Sequence, residues 1–199
     1  MTLRNIGIAG YMGAGKSTCA RFLADAGYPV FDGDREAKLV MACNQSIVEK
    51  IQDAFGDEIV ASDGIDFRSL GNMVFNDGSE LLRLNAIVHP VLKERLRDVI
   101  FNRTTSPVLV VDAALLPFWK IDDWFDLRIW VHAPDHVRLE RLAVKKPDLE
   151  ENTLVNRMKG QEILFSPPSR KEWNYIENSG DTSVLAASLK RLLALSGYR

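Results

Sequence analysis

The stretch "GYMGAGKST", residues 10–18, restricts what this chain can fold into more than any other part of it. Gly10, Gly15, Lys16 and Ser17 satisfy the spacing G-x-x-x-x-G-K-[ST]. The pattern follows a short apolar stretch, residues 5–9, and opens a segment in which Cys19, Phe22, Leu23 and Ala26 recur at helical spacing. Strand, glycine loop and helix in that order make an anion nest: the backbone can wrap with its N–H groups inward, and the helix adds its positive dipole end. Gly10, Tyr11, Met12, Gly13, Ala14, Gly15, Lys16, Ser17 and Thr18 are therefore expected to bind the phosphates of a nucleotide. In that arrangement Lys16 reaches the β- and γ-phosphates, Ser17 binds magnesium (Mg2+), and Thr18 helps hold the α-phosphate.

The rest of the chain fits around such a loop. Short strands are expected at "YPVFD", "PVLVVDAAL", "LRIWVHA" and "NYIENSG", with helical patterns at 35–43, 46–55, 80–102, 134–146 and 182–196 between and after them. The run "VLVV" is apolar without alternation, as in strands buried on both faces of a parallel sheet. Alternating strands and helices imply an α/β fold with a parallel sheet of five strands. Residues 57–103 break the rhythm: an Asp63-Gly64 turn and then helix, with no buried strand, read as a helical insertion over the carboxyl edge of the sheet. All 199 residues are expected to form one domain around it.

Composition narrows the classes without choosing among them. With 46% hydrophobic and 26% charged residues and a net charge of -2, nothing suggests a disordered protein, a nucleic-acid binder or a membrane protein. The run "VLVVDAALLPFW" is interrupted by Asp112 and too short to span a bilayer, so a cytoplasmic location is expected. Cys19 and Cys43 lack metal-ligand spacing, and neither a disulfide framework nor a zinc site is expected. A base-reading NKxD and a DxxG directly after the second strand, as GTPases have, and the LSGGQ of transport ATPases are missing, which speaks against those two classes.

Three further groups carry possible chemistry. Asp32 ends the second strand and Asp34 follows two residues on, where extended backbone would turn both carboxylates to one side. At a strand's carboxyl end such a group can accept the proton of an acceptor hydroxyl; Asp34 could equally cap the next helix. Asp112 closes "VLVV" either as a carboxylate holding magnesium through water or as a strand-end turn residue. Arg138, Arg141 and Lys145 fall at i, i+3 and i+7, a face that is either solvated or folded over a triphosphate. Asp148 and Glu151 resemble a capping box for a returning helix that carries Arg157 and Gln161, so residues 143–165 read as a lid.

Beyond these features, the chain resembles the dephospho-coenzyme A kinase family nearly end to end. The likeness is carried by the phosphate loop, "VFDGD", "LNAIVHPVL", "VVDAALL", "LERL", "NRMKGQ" and "YIENSG". It implies a P-loop kinase three-layer sandwich with a helical substrate-binding insertion and a lid. It implies ATP with magnesium as cofactors, dephospho-coenzyme A as substrate, and phosphorylation of its ribose 3'-hydroxyl to give coenzyme A. By the same resemblance Asp34 is the general base, Arg141 a catalytic arginine, and Asn178 and Gly180 belong to the loop near the adenine. His89, from its own sequence context a packed or capping histidine, joins the substrate side with Asp32, Asp112, Lys145 and Arg157. A monomer without nucleic-acid or membrane partners is expected. The family usually has Thr-Gly-Gly where this protein has Ala9, Gly10 and Tyr11, and an arginine where it has Lys145. "GYMGAGKST" followed by D-x-D also resembles shikimate kinases, but the triple-glycine turn midway along their sequences and their R-P-L-L lid are missing. A nucleotide-binding protein without catalysis is the third reading.

Overall fold

A computed structural model describes residues 3–61, 64–76 and 78–198. They divide into two compact units, Met1–Asp32 with Arg103–Arg199, and Gly33–Asn102.

The first unit is built on five parallel strands: β1 (Arg4–Ala9), β2 (Val30–Asp32), β5 (Val108–Asp112), β6 (Leu127–His132) and β7 (Asn174–Glu177), side by side in the order β2-β5-β1-β6-β7. Their near-unbroken apolar runs leave Ile6, Ile8, Val110, Val111, Ile129 and Val131 fully buried, as a sheet covered on both faces requires. Alternation sends Ile6, Ile8, Val110, Ile129 and Val131 to the face under α1 (Lys16–Asp25) and α9 (Thr182–Leu195), where Cys19, Leu23, Leu185 and Leu189 close the core. On the other face Gly7 leaves room for Phe125 and Leu116; a Cβ there would come within 2.9 Å of the Phe125 ring. That face also receives α6 (Leu116–Trp119) and the aromatic group of Trp130, Tyr11 and Phe165. Helices α7 (Asp135–Lys145) and α8 (Glu151–Leu164) complete the unit.

The second unit contains α2 (Gly33–Cys43), α3 (Gln45–Phe55), α4 (Phe67–Asn76) and α5 (Gly78–Asn102). Its core is Val40, Ile47, Ile51, Phe55, Ile59, Ile65, Leu70, Val74 and Val88, with α5 packed against α2, α3 and α4. Short polar side chains start two of these helices: Asn44 accepts from the Ile47 amide at 3.3 Å, and Asp66 accepts from the Arg68 and Ser69 amides at 2.9 and 3.2 Å. Those bonds hold the Asp66 carboxyl below its ordinary range, with the Ser69 hydroxyl the first cause. Helix α5 runs through Pro90 without ending there.

Several local expectations need correction. Residues 57–103 do contain a strand pair, β3 (Val60–Ala61) with β4 (Gly64–Ile65), antiparallel and with Ile65 buried. Two residues per strand are too few for periodicity to register, and Asp63 of the expected turn lies outside the described residues. Helix α2 begins at Gly33, two residues earlier than a capping role for Asp34 would allow. Asp34 is therefore inside the first helical turn, and the two-residue strand alternation relating it to Asp32 does not apply. The Asp148–Glu151 capping box is also not formed: α8 is capped by Glu150, whose side chain makes no cap bond.

Candidate active site

The glycine loop leaves β1, the middle strand, whose neighbours β5 and β6 stand on either side of it; α1 then leads the chain to β2, beyond β5. Open α/β sheets place ligands at the carboxyl end of such a switch point. Within the loop Gly13 has φ of +76° and Gly15 +103°, values that L side chains avoid. Close approach adds a second reason for glycine. A Cβ on Gly13 would sit 2.7 Å from the Arg138 carbonyl oxygen, and one on Gly15 would overlap the Asn178 amide.

Gly15 is also the N-cap of α1, so the helix head has no capping side chain and no acidic residue in its first turn. Its first bonds run from the Thr18 and Cys19 amides to the Gly15 carbonyl, both at 3.1 Å. The amides at such a head point outward along the helix axis, the arrangement that attracts an anion. Lys16 starts the helix half-buried, Ser17 is exposed and Thr18 half-buried.

Side chains from later in the sequence brace the loop. The buried Asn178 donates from Nδ2 to the Ala14 carbonyl at 2.7 Å, and its own amide donates to the His132 carbonyl at 2.7 Å. Arg141 reaches the Gly13 and Ala14 carbonyls at 3.4 and 3.5 Å and donates to Asn178 Oδ1 at 3.3 Å. Gln161 accepts from the Met12 amide at 2.7 Å. Gly180 is exposed just ahead of α9, whose cap, Asp181, accepts from the Ser183 amide at 2.7 Å.

Two carboxylates border the same sheet edge. Asp32 of β2 and Asp112 of β5 are register partners, and Asp112 is in turn paired with Ile8, two residues before the loop's first glycine. Asp112 is buried and Asp32 exposed. A hydroxyl and carboxylates are hard oxygen donors, the set that suits magnesium shared with phosphates, so Ser17 and Asp112 fit the ion in chemistry.

The three basic residues of α7 part company. Arg138 is 2% exposed: Nη1 pairs with Asp135 Oδ1 at 3.1 Å and Glu162 Oε1 at 2.7 Å, while Nε donates to the Met12 carbonyl at 3.1 Å. Arg141 is half-buried against the loop, and Lys145 is exposed in the last turn. Neither a uniformly solvated face nor a uniformly phosphate-facing one describes them. Glu162→Ala leaves Arg138 with the Met12 carbonyl and only the more exposed of its two carboxylates. The expected cost is about 1–3 kcal/mol and a melting point lower by about 3–10 °C, with Glu162→Gln, which retains an acceptor oxygen, closer to wild type. Thermal unfolding followed by circular dichroism measures both.

A glycine loop and a parallel sheet are shared by kinases with quite different acceptors, so sequence relatives must decide. The family model described as dephospho-CoA kinase matches residues 4–182. The chain belongs to the dephospho-CoA kinase family. Its activity is ATP-dependent phosphoryl transfer to an alcohol acceptor, dephospho-CoA, in coenzyme A biosynthesis. A dephospho-CoA kinase of Latilactobacillus sakei is 32% identical over 190 residues, spanning 94% of this chain and 93% of its own. Among solved structures, TT1252 from Thermus thermophilus superposes with a TM-score of 0.73 at 29% identity, covering 98% of each chain. A shikimate kinase from Bacteroides thetaiotaomicron reaches a TM-score of 0.55 at 18% identity over 96% of this chain and 97% of its own. The last shows a shared fold.

In the second unit Asp34 is exposed in the first turn of α2. His89 is half-buried in the middle of α5, immediately before Pro90. Burial, and secondarily the Lys93 charge, press its imidazole down to about 4. The folded protein thus disfavours protonated His89, whereas the unfolded protein protonates near 6.5. Stability should be unaffected by this group above pH 6.5, fall as pH drops from about 6.5 to 4, and level off below. Unfolding midpoints over that range should decline less in His89→Asn than in wild type. On α8, Arg157 is half-buried, and burial lowers its guanidinium from the usual range.

Sequence reasoning did not anticipate Glu162, the bracing role of Gln161 or the burial of Arg138. Asp135, three residues before Arg138, was the one local signal for the last.

Proposed function

We propose that the loop from Gly10 to Thr18 holds the polyphosphate of ATP while Asp34 accepts the proton of the ribose 3'-hydroxyl of dephospho-CoA. The freed oxygen bonds to the γ-phosphorus as the bond to the β–γ bridging oxygen breaks, and ADP leaves. The head of α1 carries this reading: three glycines, no capping carboxylate, and a lysine and a serine as its first two residues. Lys16 neutralises charge on the β- and γ-phosphates. Arg141, already against the loop carbonyls, is the cation for charge developing on the transferring oxygens. Magnesium, held by Ser17 and Asp112, would supply further neutralisation of the phosphate oxygens.

On the acceptor side Asp32, His89 and Arg157 bind dephospho-CoA, with residues 57–103 as the substrate-binding insertion of a single kinase domain. Residues 143–165 form the lid that excludes water, with Lys145 at its exposed edge. Asn178 and Gly180 line the adenine. Among the described residues no helix is long and apolar enough to cross a membrane. A cytoplasmic monomer without nucleic-acid partners is the accompanying reading.

A coupled ADP-release assay with dephospho-CoA, shikimate, adenosine or no acceptor tests the acceptor. ADP should form with dephospho-CoA alone, one coenzyme A per ADP. Equal turnover with shikimate, or without acceptor, contradicts the assignment.

A further inference from the structure

Tyr11 is the second residue of the glycine loop, and its side chain is not directed to solvent. It is 7% exposed, although its loop neighbours Met12 and Gly13 are half-buried. The hydroxyl donates to the Phe165 carbonyl, just past the end of α8, at 2.8 Å. Its ring meets Trp130 edge-on at 5.2 Å between centroids and Phe165 at 5.3 Å, and the Arg138 guanidinium carbon lies 4.8 Å from the ring centre. Two neighbouring links run the same way. The Met12 amide donates to Gln161, and Arg138 joins the Met12 carbonyl to Glu162. Residues 11–12 are thus tied to residues 161–165 by links that do not involve the α1 head.

We propose that Tyr11 is a positioning residue that fastens the leading half of the phosphate loop to the end of α8, so that ATP affinity depends on a helix of the lid. A glycine at this position could make neither the ring contacts nor the hydroxyl bond, so the fastening depends on the tyrosine. Burial, with Glu162 next, pushes the Tyr11 phenol above its ordinary range, which keeps the hydroxyl a proton donor at neutral pH. The loop must hold its amides in place before the anion arrives, and a loop freed at residues 11–12 has to be ordered on binding. Because the end of α8 is fastened to the loop, the loop senses movement of the lid through Tyr11.

This inference rests on the loop being the ATP site, and the experiment separates the two. Tyr11→Phe retains the ring and removes one donor. The Kd for ATP should rise about fivefold or more, and the KM for ATP should rise by a larger factor than kcat falls. Amide hydrogen exchange should quicken at residues 12–13 and 161–165. Gln161→Leu should give the same pattern, and Gln161→Glu, which retains an acceptor oxygen, should restore ATP binding. An unchanged Kd for ATP in Tyr11→Phe overturns the proposal, and so does a lower melting point with ATP binding intact. Lys16→Ala measured alongside tests the site itself. If it binds ATP normally, the loop is not the nucleotide site; if it loses ATP while Tyr11→Phe does not, the fastening alone fails.

Discussion

Asp34→Asn lowers kcat by about 10² or more and leaves the Kd for ATP within about twofold of wild type. The substitution preserves size and one carbonyl oxygen but removes the basicity that takes the proton from the acceptor hydroxyl. Asp34 sits in the first helical turn of α2, exposed, two residues along the sequence from the end of β2. On the proposed reading the residue serves the acceptor, so nucleotide binding should not feel its loss. Steady-state kinetics with both substrates varied, together with direct ATP titration, give the two numbers. Near-normal kcat in the variant removes Asp34 as the base.

Lys16→Ala shifts the damage to the other substrate. ATP binding should weaken at least about tenfold, and kcat/KM for ATP should fall by about 10³ or more, because the ammonium serves the ground state and the charge that spreads in the transition state. Lys16 opens α1, directly after the left-handed Gly15, where an ammonium adds to the dipole of the helix head. Folding should be little altered, and a melting point within a few degrees of wild type in the absence of ATP distinguishes lost binding from lost structure. The two variants together divide the site: one affects ATP, the other the acceptor hydroxyl.

How much of this was legible in the sequence depended on the length of the signal. The apolar runs at residues 108–111 and 129–131 marked β5 and β6, and the periodic stretches marked α1, α3 and α9, because core-facing positions repeat often enough to be read. The two-residue strands β3 and β4 carry no such repetition, and their pairing is set by a hairpin within the second unit's core, where Ile65 is buried. Asp34 shows how one glycine changes an inference: extended backbone past Asp32 would have aligned the two carboxylates, but the helix begins at Gly33 and turns Asp34 out of that alternation. The phosphate loop was plain because its chemistry is local, with glycines, lysine and serine in nine consecutive residues. What braces the loop is not local. Asn178, Gln161 and Glu162 lie well over a hundred residues from the loop in sequence, and Arg138 becomes a buried cation only because Glu162 and Asp135 converge on it. A polar residue at a helical position carries no mark of which distant carbonyl or guanidinium it will meet.

The whole account turns on where the triphosphate lies. A crystal structure with a non-hydrolysable ATP analogue locates it directly. The expected result is the β-phosphate enclosed by the amides from Gly13 to Thr18, with the Lys16 ammonium against the β- and γ-phosphate oxygens. A polyphosphate bound away from the head of α1, with that loop empty, contradicts it.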